Sequence, residues 1–380
     1  MKRKVIIIGA GVTGCAIAYN LAKKGINDIL VIDKSYLTAG ATGRCGAGVR
    51  QQWATKANCI MAKHSIEFFE HAKETLEYQG DIEFKQEGYL ILATTKEEDI
   101  QFTKNVQLQN SLGIPTKKLS PEEALKIVPH LNPKSFISAT YCQTDGHLNP
   151  FKMTDAYFQA AKKLGATFHF FENVQSIKEE NHIFTVITDK GTYQSDIVIN
   201  AAGGYSREIG LMLHLDIPVY AEKHEILVTE PISKMQGPMV MSFSKNLYCQ
   251  QVPHGSFLMG RTTPNQPINH DISASHEFLD EMAKTIDDIL PKIGELRVIR
   301  QWAGSYNMSP DKQPIICESP ELKNFYMACG FSGHGFMFAP MTGILISEMI
   351  LNEPLSLETD MLHINRFIHQ TTHEVEKSVV

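Results

Sequence analysis

The spacing of apolar positions changes period along the chain. Val5-Ile6-Ile7-Ile8 is β-branched at every position, which predicts a strand buried on both faces. Beyond the glycines at 9, 11 and 14 the period lengthens. Cys15, Ala18, Tyr19 and Ala22 recur at i, i+3, i+4 and i+7, one stripe of a helix. A second solid apolar run, Ile29-Leu30-Val31-Ile32, ends at Asp33. The opening is therefore strand, glycine turn, helix, strand. The theme of a strand ending in small residues returns twice. Asp196 to Asn200 runs into Ala201-Ala202-Gly203-Gly204, and Phe325 to Ala328 runs into Gly330-Phe331-Ser332-Gly333-His334-Gly335. A helix over Pro340 to Leu351 follows, stopped by Asn352-Glu353-Pro354.

The intervening segments read differently. Residues 82–95 and 222–262 alternate over short runs between Pro and Gly turns, as in an antiparallel sheet. Residues 55–79, 96–112, 120–127, 152–164 and 273–290 carry helical patterns. This predicts an α/β protein with a discontinuous Rossmann-type nucleotide-binding domain, residues 1–81, 141–215 and 300–380. An antiparallel-sheet substrate-binding domain, residues 82–140 and 216–299, is inserted in it. No repeat, low-complexity tract or linker interrupts this organisation.

With 380 residues, 43% hydrophobic and 21% charged, the chain can bury a large core, which excludes a disordered or fibrous class. The net charge of −6 and the lack of a basic run favour a small-molecule substrate over nucleic acid. Seven cysteines at 15, 45, 59, 142, 249, 317 and 329 form no C-x-x-C pair and are odd in number. They suggest no disulfide framework and no zinc or other metal site, and fit a reducing cytoplasm. No apolar window reaches the length of a membrane span. Lys2-Arg3-Lys4 before an apolar run ending at Gly14-Cys15 has the look of a lipoprotein signal. Gly9 and Gly11 break that run, however, and the helical stripe continues past the cysteine.

Candidate chemistry concentrates on the turns. In Gly9-x-Gly11-x-x-Gly14, the first glycine allows a tight bend, the second lets backbone approach a pyrophosphate, and the third lets helix pack on strand. Val12 would open a helix whose free N–H groups face the anion. Asp33, nineteen residues after Gly14, is placed to accept from an adenosine ribose, and it disfavours a 2′-phosphate by repulsion. NAD and FAD both remain. The second glycine loop, at residues 330–335, sets another helix N-terminus near the far end of the chain. That terminus could stabilise negative charge on a reduced flavin, whereas an NAD enzyme has no use for it, so FAD is favoured.

At this point the chain resembles the FAD-dependent D-amino-acid-oxidase superfamily, in the branch with glycine oxidase, sarcosine oxidase and the beta subunits of dye-linked proline dehydrogenases. The resemblance is carried by Gly9 to Gly14, Ala41-Thr42-Gly43-Arg44-Cys45-Gly46-Ala47-Gly48-Val49-Arg50, Trp302-Ala303-Gly304 with Ser309-Pro310-Asp311, and Gly330 to Pro340. It implies a glutathione-reductase-like FAD domain and oxidation of an amino acid at its amine-bearing carbon. It also implies a noncovalent FAD held by Gly9, Gly11, Val12, Gly14, Asp33, Lys34, Thr42, Gly43, Arg44, Gly46, Val174, Ala202, Gly203, Gly330, Gly333, His334, Gly335 and Met337. Arg50 matches an arginine that grips the substrate carboxylate, although an arginine in that loop could also sit on the pyrophosphate side. Tyr248 matches a tyrosine that faces the substrate, and its alternative is a core aromatic. His334 could stabilise reduced flavin or tune the substrate amine, or act through backbone alone. His64, His224 and His254 receive no role.

Departures from the family pattern sharpen the reading. Pro150 stands where heteromeric sarcosine oxidases carry an FMN-linking histidine, which leaves room only for a noncovalent FMN at a subunit interface. Gly304 stands where monomeric sarcosine oxidases link FAD through cysteine. Tyr306 replaces the carboxylate-binding arginine of glycine oxidase, and Leu258 and Met337 replace active-site lysines. The expected function is a dehydrogenase for a secondary-amine amino acid such as proline, hydroxyproline or sarcosine, paired with an alpha subunit and an electron-acceptor protein. A stand-alone oxidase making hydrogen peroxide, and an electron-transfer or assembly subunit, are the alternatives.

Overall fold

The computed structural model describes residues 2–263, 266–367 and 376. The rest of the expected 300–380 segment lies outside the described residues. Strands through the first half of the chain are β1 (Lys2–Ile8), β2 (Ile29–Ile32), β3 (Gly48–Val49), β4 (Tyr89–Ala93), β5 (Lys117–Leu119), β6 (Ser138–Cys142), β7 (Gly146–His147), β8 (Thr167–His169), β9 (Val174–Glu180), β10 (Ile183–Thr188) and β11 (Thr192–Asn200). Those that follow are β12 (Tyr220–Thr229), β13 (Met239–Ser242), β14 (Leu247–Gln251), β15 (Phe257–Arg261), β16 (Val298–Met308), β17 (Ile315–Glu318) and β18 (Phe325–Cys329). The helices are α1 (Val12–Lys23), α2 (Lys56–Glu70), α3 (Ala72–Thr75), α4 (Lys96–Ser111), α5 (Pro121–Ile127), α6 (Pro150–Lys163), α7 (Ser206–Leu211), α8 (His276–Ile289), α9 (Pro291–Gly294) and α10 (Gly335–Leu351).

The first sheet runs β17-β18-β11-β1-β2-β8, with β10 and β9 added beyond β11. β1 pairs in parallel with both β2 and β11, so its four aliphatic side chains are enclosed on both faces, as their β-branched run predicts. α1 crosses from β1 to β2 and packs beside α10 and α6. The α1–α10 contact is close because Gly343 has no side chain. A Cβ there would stand 2.7 Å from the Ala16 carbonyl oxygen. This backbone-to-backbone approach brings the first and last glycine loops of the chain to the same place.

The second sheet runs β16-β12-β15-β14-β13-β4-β6-β5. It is mixed rather than antiparallel, because β13 pairs in parallel with β4, Met239 opposite Tyr89. Period-two alternation splits its side chains. Leu90 and Leu92 join Leu227, Phe257, Phe278 and Met282 in a core under α8, while Tyr89, Ile91, Met239 and Met241 face the other way. β6 and β16 both pair in this sheet, so it extends across the boundaries expected at 140/141 and 299/300.

Two other expectations change. Only Tyr89–Ala93 of 82–95 is strand. The last helix begins at Gly335, not Pro340, since Pro340 is tolerated inside it.

Candidate active site

The glycine turn after β1 has the geometry its sequence implies. Gly9 has φ +110, and a Cβ on it would stand 2.3 Å from the Ala201 oxygen. A Cβ on Gly14 would stand 1.9 Å from the Gly9 oxygen, so this glycine lets α1 sit on the turn. Gly11 differs, because its only near neighbour would be Thr42 Oγ1 at 3.2 Å. Its missing side chain leaves room for a ligand rather than for the protein's own backbone. No side chain of Gly11 caps α1, and Thr42 Oγ1 accepts from the Val12 N–H at 3.2 Å. Asp33 Oδ2 accepts from Ala10 N and Oδ1 from Ser35 N, each at 2.8 Å, which fixes the carboxylate at the end of β2.

A cavity runs from this turn in both directions. Toward the adenosine end it is lined by Asp33, Lys34, Arg44, Val174, Ala202, Tyr205 and His270. Lys34 Nζ lies 3.0 Å over the Tyr205 ring, which stacks on His270 at 3.8 Å. In the middle, Gly9, Gly11, Val12, Thr42, Ala202, Gly203, Gly333 and Gly335 share one trough. The opening and closing glycine loops of the chain thus close around one groove. Ser305 lines both parts, and its Oγ is buried with no hydrogen-bond partner among the described residues.

The trough opens past Cys45, Tyr306, Gly333 and Phe336 into a third cavity, between the two sheets. Arg50 lines it and is only 4% exposed. Its guanidinium carbon lies 3.8 Å over the Trp53 ring, and Nη1 donates to Gln52 O at 2.5 Å. Burial lowers its pKa. Tyr248 enters from β14, opposite Gly260 on β15, where a Cβ would stand 2.1 Å from the Tyr248 hydroxyl. Tyr89 and Tyr306 complete a group of three phenols, all held protonated by burial. Met239, Met241, Met337 and Phe336 supply the apolar lining, and among the described residues none in the lining is acidic.

His334 caps the N-terminus of α10, its ring edge-on to Trp53 at 5.0 Å and to Phe338 at 5.2 Å. Burial, reinforced by the Arg50 charge, pushes its pKa down to about 3. The ring is therefore neutral, and its buried Nε2 has no partner among the described residues. It can exchange a hydrogen bond with a ligand but cannot neutralise an anion by charge.

Not every expected residue lines the trough. Gly14, Gly43 and Gly330 lie behind it as packing and turn positions; Gly43 abuts Thr38 O and Gly330 has φ +71. Gly46, His334 and Met337 line the third cavity instead of the trough. Tyr89, Thr262 and His224 also line the third cavity, although no sequence motif marks them. Period-two alternation along β12 places Glu222 and His224 on one face, a pattern that the sequence carries without showing what His224 meets.

The group these features fit is a flavin dinucleotide. Residues 4–349 match the family model described as "DAO: FAD dependent oxidoreductase". The chain belongs to this family. That family is one of FAD-dependent oxidoreductases. Among solved structures, L-proline dehydrogenase from P. horikoshii superposes with a TM-score of 0.92 at 36% identity, covering 98% of this chain and 99% of that one. The mitochondrial dimethylglycine dehydrogenase of Rattus norvegicus is 27% identical over 98% of this chain but only 45% of its own length. This chain thus spans less than half of that relative. Sarcosine oxidase subunit beta of Arthrobacter sp is 27% identical, over 93% of this chain and 90% of its own. No helix among the described residues is long and apolar enough to cross a membrane.

Proposed function

We propose that the protein is the FAD-bearing subunit of a dehydrogenase that oxidises a secondary-amine amino acid, such as proline, hydroxyproline or sarcosine, to its imine. The observation that carries this reading is Arg50, buried in a cavity contiguous with the dinucleotide trough. A planar guanidinium is suited to bidentate pairing with a carboxylate, and the three phenols can donate to the same group. The methionines offer an adaptable apolar wall to the substrate's body. FAD, when bound, takes up the hydride released from the carbon next to the amine. Gly9, Gly11, Val12 and Thr42 would hold its pyrophosphate, Asp33 its ribose, and Ser305 and the α10 N-terminus would face its length. The likeness to L-proline dehydrogenase and to sarcosine oxidase subunit beta supports the substrate class and the presence of a partner subunit.

Holoenzyme mixed anaerobically with an amino-acid panel should bleach with a secondary amine. Arg50→Ala should raise KM by roughly 10- to 100-fold, the loss of a charge-assisted hydrogen bond of about 1.5–3 kcal/mol. No bleaching across the panel would overturn the reading. Bleaching with an unchanged KM would move the substrate site to a partner.

A further inference from the structure

One wall of the third cavity holds a chain of polar groups that carboxylate binding does not use. Glu222 and His224 are two apart on β12 and share one face, and His224 Nε2 lies 3.0 Å from Glu222 Oε1. The other ring nitrogen, Nδ1, lies 3.0 Å from Thr262 Oγ1. Thr262 is itself fixed, because its N–H donates to Asn246 Oδ1 at 2.9 Å while Asn246 Nδ2 donates to its carbonyl. The imidazole stacks on Tyr306, with centroids 3.7 Å apart and planes 13° from parallel, so it cannot turn. Thr262, His224 and Tyr306 all line the cavity that holds Arg50. The side chain of His224 is 9% exposed and that of Glu222 is 24% exposed, so the row of groups leads from cavity to solvent.

An amino acid enters from water as an ammonium ion, and hydride can leave the adjacent carbon only once that nitrogen has a lone pair. Among the described residues, none that lines the cavity is acidic and could hold the cation. We propose that Thr262, His224 and Glu222 form a relay that carries the substrate's ammonium proton from the cavity to solvent. This rests on the reading of the cavity as an amine-oxidising site. The ammonium N–H bond breaks toward Thr262 Oγ1 as the hydroxyl's own proton moves to His224 Nδ1. The Nε2 proton then passes to Glu222 and on to water. The amine keeps the electron pair, and nothing is oxidised or reduced in the relay.

The surroundings favour a ring that is neutral and ready to accept. Burial is the main cause lowering the His224 pKa, the Glu222 carboxylate opposes it, and Lys312 from the loop after β16 adds to the lowering. The hydrogen bond from His224 lowers the Glu222 pKa, so that carboxylate is ionised. Arg261 lines the same cavity, but its guanidinium pairs with Glu281 at 3.1 Å. Arg50 stands in the same lining.

The test is anaerobic stopped-flow bleaching of holoenzyme by sarcosine and L-proline from about pH 6 to 10, with proton release followed by phenol red in weak buffer. Wild type should release close to one proton per site before it bleaches. Thr262→Val and His224→Gln should lose that phase and bleach about 100-fold more slowly near neutral pH. Their pH midpoint should move up by a unit or more toward the free amine's own ionisation, closing the gap in alkali. Glu222→Gln should fall between, with Glu222→Asp restoring most of the effect. Variants that retain FAD and keep both the wild-type midpoint and the proton release would overturn the relay alone. Failure of wild type to bleach with either probe, or with any other amino acid, would overturn the amine-oxidising reading and the relay with it.

Discussion

Asp145 is fully buried behind the Arg50 loop, where its carboxylate accepts from Gln51 N at 2.8 Å and Gln52 Nε2 at 2.9 Å. Gln52 also donates to Tyr89 O at 3.0 Å, and Trp53 Nε1 donates to Arg50 O at 3.0 Å. The guanidinium is thus aimed by a network one residue removed from it. Burial pushes the Asp145 carboxyl up to about 6 from 3.8, against the lowering effect of its donors. Because the folded pKa lies above the unfolded one, the native state binds more protons between these values. The stability this group contributes is full below about pH 4 and is lost as pH rises through about 6. Asp145→Asn should remove that slope, so its stability relative to wild type should change by an order of 3 kcal/mol across the window. Urea titrations of both proteins at a series of pH values would read it; parallel curves would refute the assignment. Arg50 could be nominated from sequence because it ends the Ala41–Arg50 motif, and Tyr248 because it matches a tyrosine of the family on an alternating strand. Tyr89, Thr262 and His224 could not, since their meaning comes from strand pairings and side-chain contacts between residues 38 or more apart.

At the level of elements, the turn between β1 and α1 separates two uses of glycine that the sequence presents alike. Gly14 is required by the protein's own backbone, with a Cβ contact of 1.9 Å, whereas Gly11 would meet only Thr42 Oγ1 at 3.2 Å. Gly14→Ala should therefore lower Tm and expel FAD together, because α1 cannot stay on the turn. Gly11→Ala should keep Tm of the apoprotein within a few degrees while weakening FAD at least about 10-fold, since backbone can no longer approach the pyrophosphate. Thermal melts of the apoproteins with flavin titration would decide it, and equal damage from both would show that Gly11 is structural too. The helices α4, α5 and α8 were legible to within a few residues from their helical patterns, and the structure caps them with Thr95, Ser120 and Ser275. The meander of β9 and β10 was not, because its alternation is shallow and half exposed. The parallel β13–β4 pairing was equally hidden, since register between distant strands leaves no local trace.

For the whole molecule, the packing of α10 on α1 makes one groove out of loops more than 300 residues apart, and the second sheet roofs its end. What the molecule does with electrons depends on the charges in that roofed end. Oxygen reduction is assisted by a fixed positive charge close to the reacting atoms. Here His224 and His334 are held neutral by burial, Arg261 is paired with Glu281, and Met337 presents a thioether. Arg50 also stands in the lining, and on the proposed reading its charge is taken up by the substrate carboxylate. The enzyme should hand electrons to an acceptor other than oxygen. Substrate-reduced holoenzyme should reoxidise about 100-fold more slowly in air-saturated buffer than with an equal concentration of a two-electron dye. Met337→Lys, which places an ammonium in the lining, should narrow that gap by about 10-fold, an effect of roughly 1.4 kcal/mol on the barrier. Stopped-flow reoxidation at both proteins' full FAD content measures it, and wild-type reoxidation as fast with oxygen as with dye would make the protein an oxidase.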